Sequence, residues 1–534
     1  MYKILLMLLL SSILFSKDIT MKWLEQQPTS YAKDFYIWRY LSQDITPKEA
    51  NKALSQIRRL NNKILYRYIN KSQDNFLKEY KTCKKAKTSK LLNKKDYCIE
   101  AGLSLYDATK LSKKELKKVI AKVKKEYPLY AKKLAILDSP LPFKSLTQSE
   151  NDIFFAVFNS VGNNYRLKNF NEHFSDKLIQ KLQSDKKEFT RTIKLIVNNP
   201  KMRKTQTSLL KVDASKLNYK TTFALAINAI RLKKEKTALN YLKLAYKKAY
   251  YQMEKDNVTF WQYQLTDDLS YIFKLNKSWD INIYTLFAYN KLKKNPKNLI
   301  FNIEQKPTKS LFDIKNPFIW HKVLKDSKKM NEKKLAKYYN TFTDEETIGH
   351  LAFIKERFHR YKKSYFVTPY EKYLKNIDKD RKALIYAIGR QESRFIPTSI
   401  STAYAMGVMQ IMPFLSKALA KELKEPYDID KQLEAKTNLR YANHHLNFLD
   451  RRLNNPLFIA YAYNGGIGFT RKTLKSGLFK KGKFEPWLSM EMIPYDETKK
   501  YGKKVLANYF IYQNHINPNN KIFFNNLINS IKNY

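Results

Sequence analysis

The chain has 534 residues, of which 101 are Lys or Arg and 48 are Asp or Glu, so its formal net charge is +53. This length excludes a single hydrophobic core and predicts two or three domains. The excess positive charge favours a polyanionic partner such as nucleic acid, anionic lipid or a carboxylate-bearing polymer. Because the lysines are dispersed along the chain, a compositional bias explains the charge equally well, and charge alone identifies no partner.

The N-terminus predicts a secretory signal peptide over residues 1–16. Lys3 precedes an apolar run from Ile4 to Phe15, and cleavage is expected near Ser16. A run of about 12 residues is short for a bilayer span, which needs roughly 20. We therefore expect no stable membrane span, with a retained anchor or a buried first helix as the alternatives.

The chain contains two cysteines, Cys83 and Cys98. In an exported protein such a pair is a disulfide candidate, and two buried thiols are the alternative. Neither cysteine has histidine or cysteine neighbours at ligand spacing, so we expect no metal site and no cofactor.

From about residue 28 to residue 290 the pattern predicts one helix after another. Capping-box sequences occur at 46–49, 112–115 and 147–150. The segment 221–250 predicts a helical hairpin, because small and large apolar residues alternate at helical spacing on both arms. Such hairpins stack in an α-solenoid, so we predict a mainly α fold with an N-terminal α-superhelical domain.

Glycine marks a change of domain near the C-terminus. Only 11 residues are glycine, and eight of them lie between Gly389 and Gly502. Three prolines in 295–317 indicate a joint, and a smaller helical segment follows to about residue 362. The predicted domains are therefore 17–295, a helical linker over 296–364, and a C-terminal domain over 365–534.

Glu392 is the first candidate for chemistry. In residues 381–395 the apolar positions fall on one helix face that also carries Glu392, and Pro397 predicts a helix end near Ile396. Burial and the negative helix end would both raise the pKa of this carboxyl group, which suits a general acid. The alternative is an ordinary acid at a frayed helix end. The next acidic residue is Glu422, so a nearby partner carboxylate is missing.

Four motifs in this order resemble the family 1 soluble lytic transglycosylases. They are Glu392-Ser393, the run GVMQIMP at 407–413, the run AYNGG at 462–466 and the run EMIPY at 491–495. The resemblance covers about residues 365–515. It implies a lysozyme-like catalytic domain, mostly α with a small β-hairpin region that we place within 398–412.

The resemblance also implies roles for individual residues. Glu392 would be the sole catalytic acid and base, and Ser393 would orient it. The implied substrate-binding residues are Ser401, Met409, Gln410, Met412, Ala462, Tyr463, Asn464 and Glu491. Among these, Glu491 would sit across the groove and bind substrate without acting as a nucleophile.

The implied reaction cleaves the β-1,4 bond between N-acetylmuramic acid and N-acetylglucosamine in peptidoglycan and leaves 1,6-anhydromuramic acid ends. The implied partners are glycan strands with stem peptides, with cell-wall synthesis enzymes as further candidates, in the periplasm; nucleic acid is not expected. Two alternatives stay open. A hydrolytic muramidase would need a second carboxylate, for which the candidates are Glu422, Asp428, Asp430 and Glu491. A non-catalytic cationic scaffold would bind peptidoglycan or nucleic acid through charge alone.

Overall fold

The computed structural model describes residues 19–531. The predicted signal peptide lies outside the described residues. By packing, the described chain divides into unit 1, residues 19–73, 298–459 and 508–521, and unit 2, residues 74–297, 460–507 and 522–531. Residues from the predicted C-terminal domain occur in both units, and the boundaries at 295 and 364 remain predictions. Among residues 19–531, no helix has both the length and the apolar composition needed to cross a membrane.

Unit 1 begins with four helices: α1 (Met21–Glu25), α2 (Tyr31–Tyr40), α3 (Pro47–Leu54) and α4 (Asn62–Lys71). The predicted capping box at the start of α3 is confirmed, since Thr46 and Glu49 satisfy each other's backbone N–H groups. Phe35, Ile37 and Ile64 in these helices share a buried cluster with Tyr404 and Met406. The N-terminal helices are therefore part of the core that holds the segment after Glu392.

Unit 2 begins with seventeen helices that pack mainly on their sequence neighbours. They are α5 (Asn75–Lys85), α6 (Thr88–Leu91), α7 (Asp96–Gly102), α8 (Leu105–Ala108), α9 (Lys113–Val123), α10 (Pro128–Asp138), α11 (Pro142–Gln148), α12 (Asn151–Ser160), α13 (Asn163–Phe170), α14 (Asp176–Leu182), α15 (Lys186–Val197), α16 (Arg203–Ser208), α17 (Tyr219–Arg231), α18 (Glu235–Lys248), α19 (Gln252–Thr266), α20 (Leu269–Asn276) and α21 (Ile283–Lys291). A disulfide joins Cys83 and Cys98, with a Cα–Cα distance of 5.1 Å.

The predicted hairpin is confirmed as α17 and α18, whose facing alanines Ala226, Ala229 and Ala238 are fully buried. The capping box at Ser112 is also confirmed. The third predicted box is wrong. Pro142 starts α11 early enough that Thr147 lies inside it, and Glu150 is itself the N-cap residue of α12.

The chain then returns to unit 1. A short parallel pair joins β1 (Leu299–Ile300) to β2 (Ser364–Tyr365). The helices of this part are α22 (Pro317–Asp326), α23 (Glu332–Thr341), α24 (Ile348–Phe358), α25 (Lys379–Glu392), α26 (Pro413–Glu422) and α27 (Ala435–Leu453). Antiparallel bridges link Met406 to Ile400 and to Ile411, inside the range 398–412 predicted for a small β region.

The last helices are α28 (Pro456–Gly465), α29 (Ile467–Lys475), α30 (Trp487–Glu491), α31 (Asp496–Ile516) and α32 (Phe524–Asn529). The prediction that a helix begins at Pro456 and ends at Gly465 is confirmed by α28. Five short 3-10 helices complete the described elements: Leu209–Lys211, Glu345–Thr347, Glu371–Tyr373, Asp430–Leu433 and Pro518–Asn520. The prediction of a mainly α fold is confirmed.

Candidate active site

Glu392 is the last residue of α25. Asp378 caps the start of this helix by accepting a hydrogen bond from the backbone N–H of Arg381 at 2.8 Å. Residues 383–390 are buried and fix the helix in unit 1, whereas Glu392 is half-buried. The predicted helix end near Ile396 is wrong, because the helix stops at Glu392 and Ser393 is the C-cap residue. Phe395 is therefore not on the same helical face as Glu392.

Ser393 connects the end of α25 to the following loop. Its hydroxyl donates a hydrogen bond to the carbonyl of Val408 at 2.7 Å and accepts one from the backbone N–H of Ile396 at 3.0 Å. Two bonds on one hydroxyl fix the direction in which the chain leaves the helix. This arrangement agrees with the implied role of orienting Glu392, which remains a prediction.

The next two residues, Arg394 and Phe395, both have left-handed backbone conformations, with φ of 60° and 65°. Non-glycine residues adopt this region at a cost, so the surrounding structure must hold them there. Two glycines make room for the Phe395 side chain. A Cβ on Gly349 would lie 2.9 Å from Cβ of Phe395, and one on Gly389 would lie 3.0 Å from Cε1 of Phe395. The turn after Glu392 therefore depends on glycines in α24 and α25.

A buried charge network holds the same turn. Glu356 in α24 pairs with Arg390 at 2.7 Å and with Arg394 at 3.1 Å, and the Glu356 side chain is 4 % exposed. Arg390 also donates to the carbonyl of Tyr365 at 3.0 Å. Burial lowers the pKa of Arg390 to about 10, so its guanidinium is still charged at neutral pH. Sequence reasoning missed Glu356, since one acid in a helix gives no signal until its distant partners are known.

Gln410 lies in the tight turn of the bridged loop. Its φ is +49°, and its Nε2 donates to the carbonyls of Ser399 and Gly407, each at 2.9 Å. Gly407 has a φ of +83°, and a Cβ there would lie 2.3 Å from the carbonyl oxygen of Gln432. The loop backbone is thus closely constrained around the amide that the resemblance assigns to substrate.

Other predicted residues of unit 1 border this loop. The Ser401 hydroxyl accepts hydrogen bonds from the backbone N–H groups of Ala403 at 3.2 Å and Ala405 at 2.9 Å. Met409 is fully buried, and its sulfur would lie 3.2 Å from a Cβ on Gly389. Met412 is half-buried and is the N-cap residue of α26. Unit 1 therefore brings together the helix that ends at Glu392 and the loop that carries Gln410, while the substrate-binding roles remain predictions.

Ala462, Tyr463 and Asn464 lie at the C-terminal end of α28, in unit 2. Ala462 is buried, and the other two are half-buried. The Asn464 side-chain oxygen accepts a hydrogen bond from the Thr498 hydroxyl at 2.7 Å, which ties the end of α28 to α31. Gly466 follows with a φ of +88° and is the N-cap residue of α29.

Glu491 has a different environment from the one expected. It was predicted to bind substrate across the groove, but its side chain is 3 % exposed and forms an ion pair with Lys503 at 2.5 Å in unit 2. The Tyr284 hydroxyl also donates to its Oε1 at 3.0 Å. Burial opposes its ionisation, but the charges of the neighbouring lysines and these hydrogen bonds hold the pKa of Glu491 below its usual value. A buried, paired carboxylate is at odds with direct substrate contact, so this role is only a prediction.

The described residues contain no cluster of three or more His, Cys, Asp or Glu side chains arranged to hold a metal ion. Unit 1 places one half-buried acid at a helix end, beside the constrained loop that carries the Gln410 amide.

Residues 370–484 match the sequence family described as the Transglycosylase SLT domain. Over 132 residues the chain is 36 % identical to the soluble lytic murein transglycosylase of Salmonella typhimurium, a match that covers 24 % of this chain and 20 % of that protein. The same identity holds over 124 residues of the Escherichia coli K12 protein of that name, 23 % of this chain and 19 % of the relative. The matched segment thus spans about a fifth of these relatives' own length.

Two solved structures align over most of the chain. The lytic transglycosylase Slt of Pseudomonas aeruginosa, solved as an inactive mutant, covers 94 % of this chain and 89 % of its own, with 16 % identity and a TM-score of 0.49. The 70 kDa soluble lytic transglycosylase of Escherichia coli covers 92 % and 88 %, also with 16 % identity and a TM-score of 0.49.

Proposed function

We propose that this chain, whose residues 370–484 match the Transglycosylase SLT domain, is a peptidoglycan lytic transglycosylase that uses Glu392 as its acid and base. The observation that carries the proposal is the position of Glu392 within the matched segment. It ends a buried helix whose last turn is held by Ser393 and by the Glu356 network, and it remains half-buried itself. A half-buried acid at the end of a helix held in this way suits proton transfer to a bound substrate.

The reaction needs one carboxyl group in two protonation states. Glu392 gives its proton to the bridging oxygen as the bond from C1 of N-acetylmuramic acid breaks. The positive charge that develops at C1 is stabilised by the substrate's own acetamide group. The Glu392 carboxylate then takes the proton from the 6-hydroxyl of the same sugar as that oxygen attacks C1. Water is not consumed, and the carboxyl group returns to its protonated state.

The carboxylates that could serve a hydrolytic mechanism are engaged elsewhere. Glu422 lies 2.9 Å from Nε2 of His444, and Asp430 pairs with Arg39 at 2.5 Å. Asp428 accepts a hydrogen bond from the backbone N–H of Asp430 at 2.9 Å. Glu491 is buried against Lys503. These contacts support a single-carboxylate mechanism, in which substrate groups take the place of a second acid.

The residues around Glu392 have supporting roles in this proposal. Ser393 orients the carboxyl group, and Ser401, Gln410, Met409 and Met412 form the part of the binding site that unit 1 supplies. Ala462, Tyr463 and Asn464 supply a further part from the end of α28. The cysteine pair, joined as a disulfide, agrees with an exported protein. We place the enzyme in the periplasm, acting on glycan strands with stem peptides.

The direct test is digestion of purified sacculi followed by mass analysis of the released muropeptides. The wild type should release products with 1,6-anhydro ends, which are lighter by one water than hydrolysis products. Glu392→Gln should lower this release by about 10³-fold, since it removes both proton-transfer steps while keeping the size of the side chain. Glu422→Gln is the matched control and should leave activity unchanged, because this acid is exposed and pairs with His444.

Three outcomes would reject the proposal. Hydrated reducing ends as the only products would indicate a muramidase. Full activity of Glu392→Gln would remove Glu392 from the mechanism, and absence of any cleavage by the wild type would favour a non-catalytic binding protein.

A further inference from the structure

A cleft of about 1080 Å³ lies in unit 2, lined by residues of α8, α9, α10, α13 and α29 and of the loops beside them. None of the candidate active-site residues lines it. Its volume exceeds what most small-molecule sites need and leaves room for more than one sugar ring.

An exposed aromatic ring is fixed at this cleft. Tyr106 is 49 % exposed, although it is a large hydrophobic residue. Its ring lies against the backbone of Gly162, where a Cβ would be only 2.6 Å from Cε2 of the ring. Gly162 has a φ of −68°, which any residue adopts, so the contact with Tyr106 is the reason that a side chain is excluded here. The ring also has a cationic neighbour, since the ammonium group of Lys110 lies 3.9 Å from the centroid of the Tyr106 ring.

Three lysines from three different helices carry positive charge into the same cleft. Lys117 in α9, Lys168 in α13 and Lys472 in α29 are exposed, and within the described part of the chain they form no ion pair. The acid that lines the cleft, Asp138, is half-buried and lies 3.6 Å from Lys113. The charge of the three lysines is therefore not balanced inside the cleft, and it favours a ligand that carries carboxylates.

Amide groups complete the lining. Asn164 is exposed, and Asn169 is half-buried on the same helix, α13. An amide offers both a donor and an acceptor, which matches the hydroxyl and acetamide groups of an amino sugar. These three features match three parts of one ligand. The Tyr106 ring suits the apolar face of a sugar, the amides suit its acetamide groups, and the lysines suit its negative charge.

We infer that this cleft is a second, non-catalytic binding site for anionic glycan-peptide, which packs a sugar ring against Tyr106 and places carboxylates beside Lys117, Lys168 and Lys472. The inference rests on the proposed function, because it is that function which makes peptidoglycan the ligand. Binding here holds the enzyme on the polymer while the strand at the active site is cleaved.

The test measures binding and cleavage separately in the full-length chain. Binding is measured by sedimentation with sacculi in the Glu392→Gln background, so that the polymer stays intact. Tyr106→Ala should weaken binding by about tenfold, the effect of losing one aromatic contact. The triple variant Lys117→Glu, Lys168→Glu and Lys472→Glu should weaken it by about tenfold or more at low salt and less at high salt.

Matched controls exclude a general charge effect. Lys187, Lys236 and Lys243 are exposed in unit 2 outside the cleft, and their triple change to Glu alters net charge equally. Tyr250 is 84 % exposed outside the cleft, so Tyr250→Ala removes a comparable ring. The inference requires that both controls bind sacculi like the parent. Equal losses in the cleft and control variants would overturn it.

Cleavage assays separate this inference from the proposed function. With Glu392 restored, the cleft variants should require several-fold more sacculi for half-maximal rate but should cleave a soluble tetrasaccharide fragment at the wild-type rate. Normal binding and cleavage of sacculi by the cleft variants would reject the second site and leave the enzyme assignment intact. A third result would also reject the inference. If the cleft variants bind sacculi normally but no longer bind a DNA duplex or anionic vesicles, the cleft serves another polyanion.

Discussion

Two acids that belong to the same set of sequence motifs occupy opposite environments in the two units. Glu392 ends α25 in unit 1 and is half-buried, and the ionic network beside it is made by Glu356 with Arg390 and Arg394. Glu491 ends α30 in unit 2, is 3 % exposed, and is itself the acid of a buried ion pair with Lys503. In unit 1 the motif acid lies next to the network in sequence, whereas in unit 2 the motif acid is part of the network. A motif therefore identifies which residues matter without saying whether each one acts on substrate or holds the structure.

The largest expected effect distinguishes these two acids by stability. Glu491→Gln leaves the buried ammonium of Lys503 without its charge partner, which should lower the free energy of unfolding by about 3–5 kcal/mol. Glu392→Gln should change it by less than about 0.5 kcal/mol, since a half-exposed helix end tolerates the exchange. Urea denaturation followed by circular dichroism measures both.

A second variant shows whether the ion pair is the cause. Adding Lys503→Met to Glu491→Gln removes the uncompensated charge and should restore much of the lost stability. If the double variant is no more stable than Glu491→Gln, or if Glu392→Gln is equally destabilised, the two environments do not differ in the way described.

A pH titration can sharpen the comparison, because unit 2 also contains a buried acid that accepts its hydrogen bonds from neutral side chains. Asp256 receives hydrogen bonds from Asn282 at 2.8 Å and from Gln252 and Ser278 at 2.9 Å, and burial raises its pKa to about 7. The folded state therefore keeps a proton that the unfolded state loses near pH 4. Between about pH 4 and pH 7 this group should lower the free energy of unfolding as pH rises, by on the order of 4 kcal/mol.

Asp256→Asn is the variant that measures this contribution. It should remove the downward slope between pH 4 and pH 7 that the wild type shows in chemical denaturation. The pH dependence expected for Glu491 has the opposite sign. Because its pKa is lowered in the folded state, it stabilises the fold above about pH 4.5, and this stabilisation is lost as pH falls further. If the free energy of unfolding of Asp256→Asn falls with pH as steeply as that of the wild type, Asp256 is not the group that causes the slope.

The smallest expected effect concerns the hydroxyl that joins α25 to the loop. Ser393→Ala removes the hydrogen bonds to Val408 and Ile396 and should cost about 1 kcal/mol of stability. Activity on sacculi should fall several-fold, because the end of the helix is less firmly held. Ser416→Ala is the control, since Ser416 is fully buried in α26 and its hydroxyl donates a hydrogen bond to the carbonyl of Pro413 at 3.1 Å. Equal activity losses in both variants would remove the special role of Ser393.

Local chemistry was the part of the fold that the sequence could predict. Pro456 and Gly465 bound α28 as expected, because proline at the first helical position and glycine at the last act within a few residues. The hairpin α17–α18 followed from apolar periodicity in the same way. The end of α25 was misplaced, since the left-handed turn at Arg394 and Phe395 depends on Gly349 and Glu356, which lie far away in sequence.

The candidate site shows the same limit. Glu392, Ser393 and Gln410 could be selected from motifs, and the structure brings Ser393 into contact with the loop that carries Gln410. Burial could not be predicted for Glu491, because it depends on Tyr284 and Lys503, and only the folded chain brings these three together. The cleft at Tyr106 likewise needs α8, α9, α13 and α29, and no short motif contains them.

The packing of Tyr404 has a consequence for how the chain acquires its structure. Its hydroxyl accepts a hydrogen bond from Asn61 at 2.9 Å, its ring lies 5.4 Å from that of Trp38, and nearby Arg39 pairs with Asp430. These contacts join residues that are more than 340 positions apart. Forming them therefore costs much chain entropy, because a long loop must be closed. Helices α1–α4 must wait for the segment beyond residue 400 before unit 1 is complete. We therefore expect the region around Glu392 to become ordered late, only after that segment has been made.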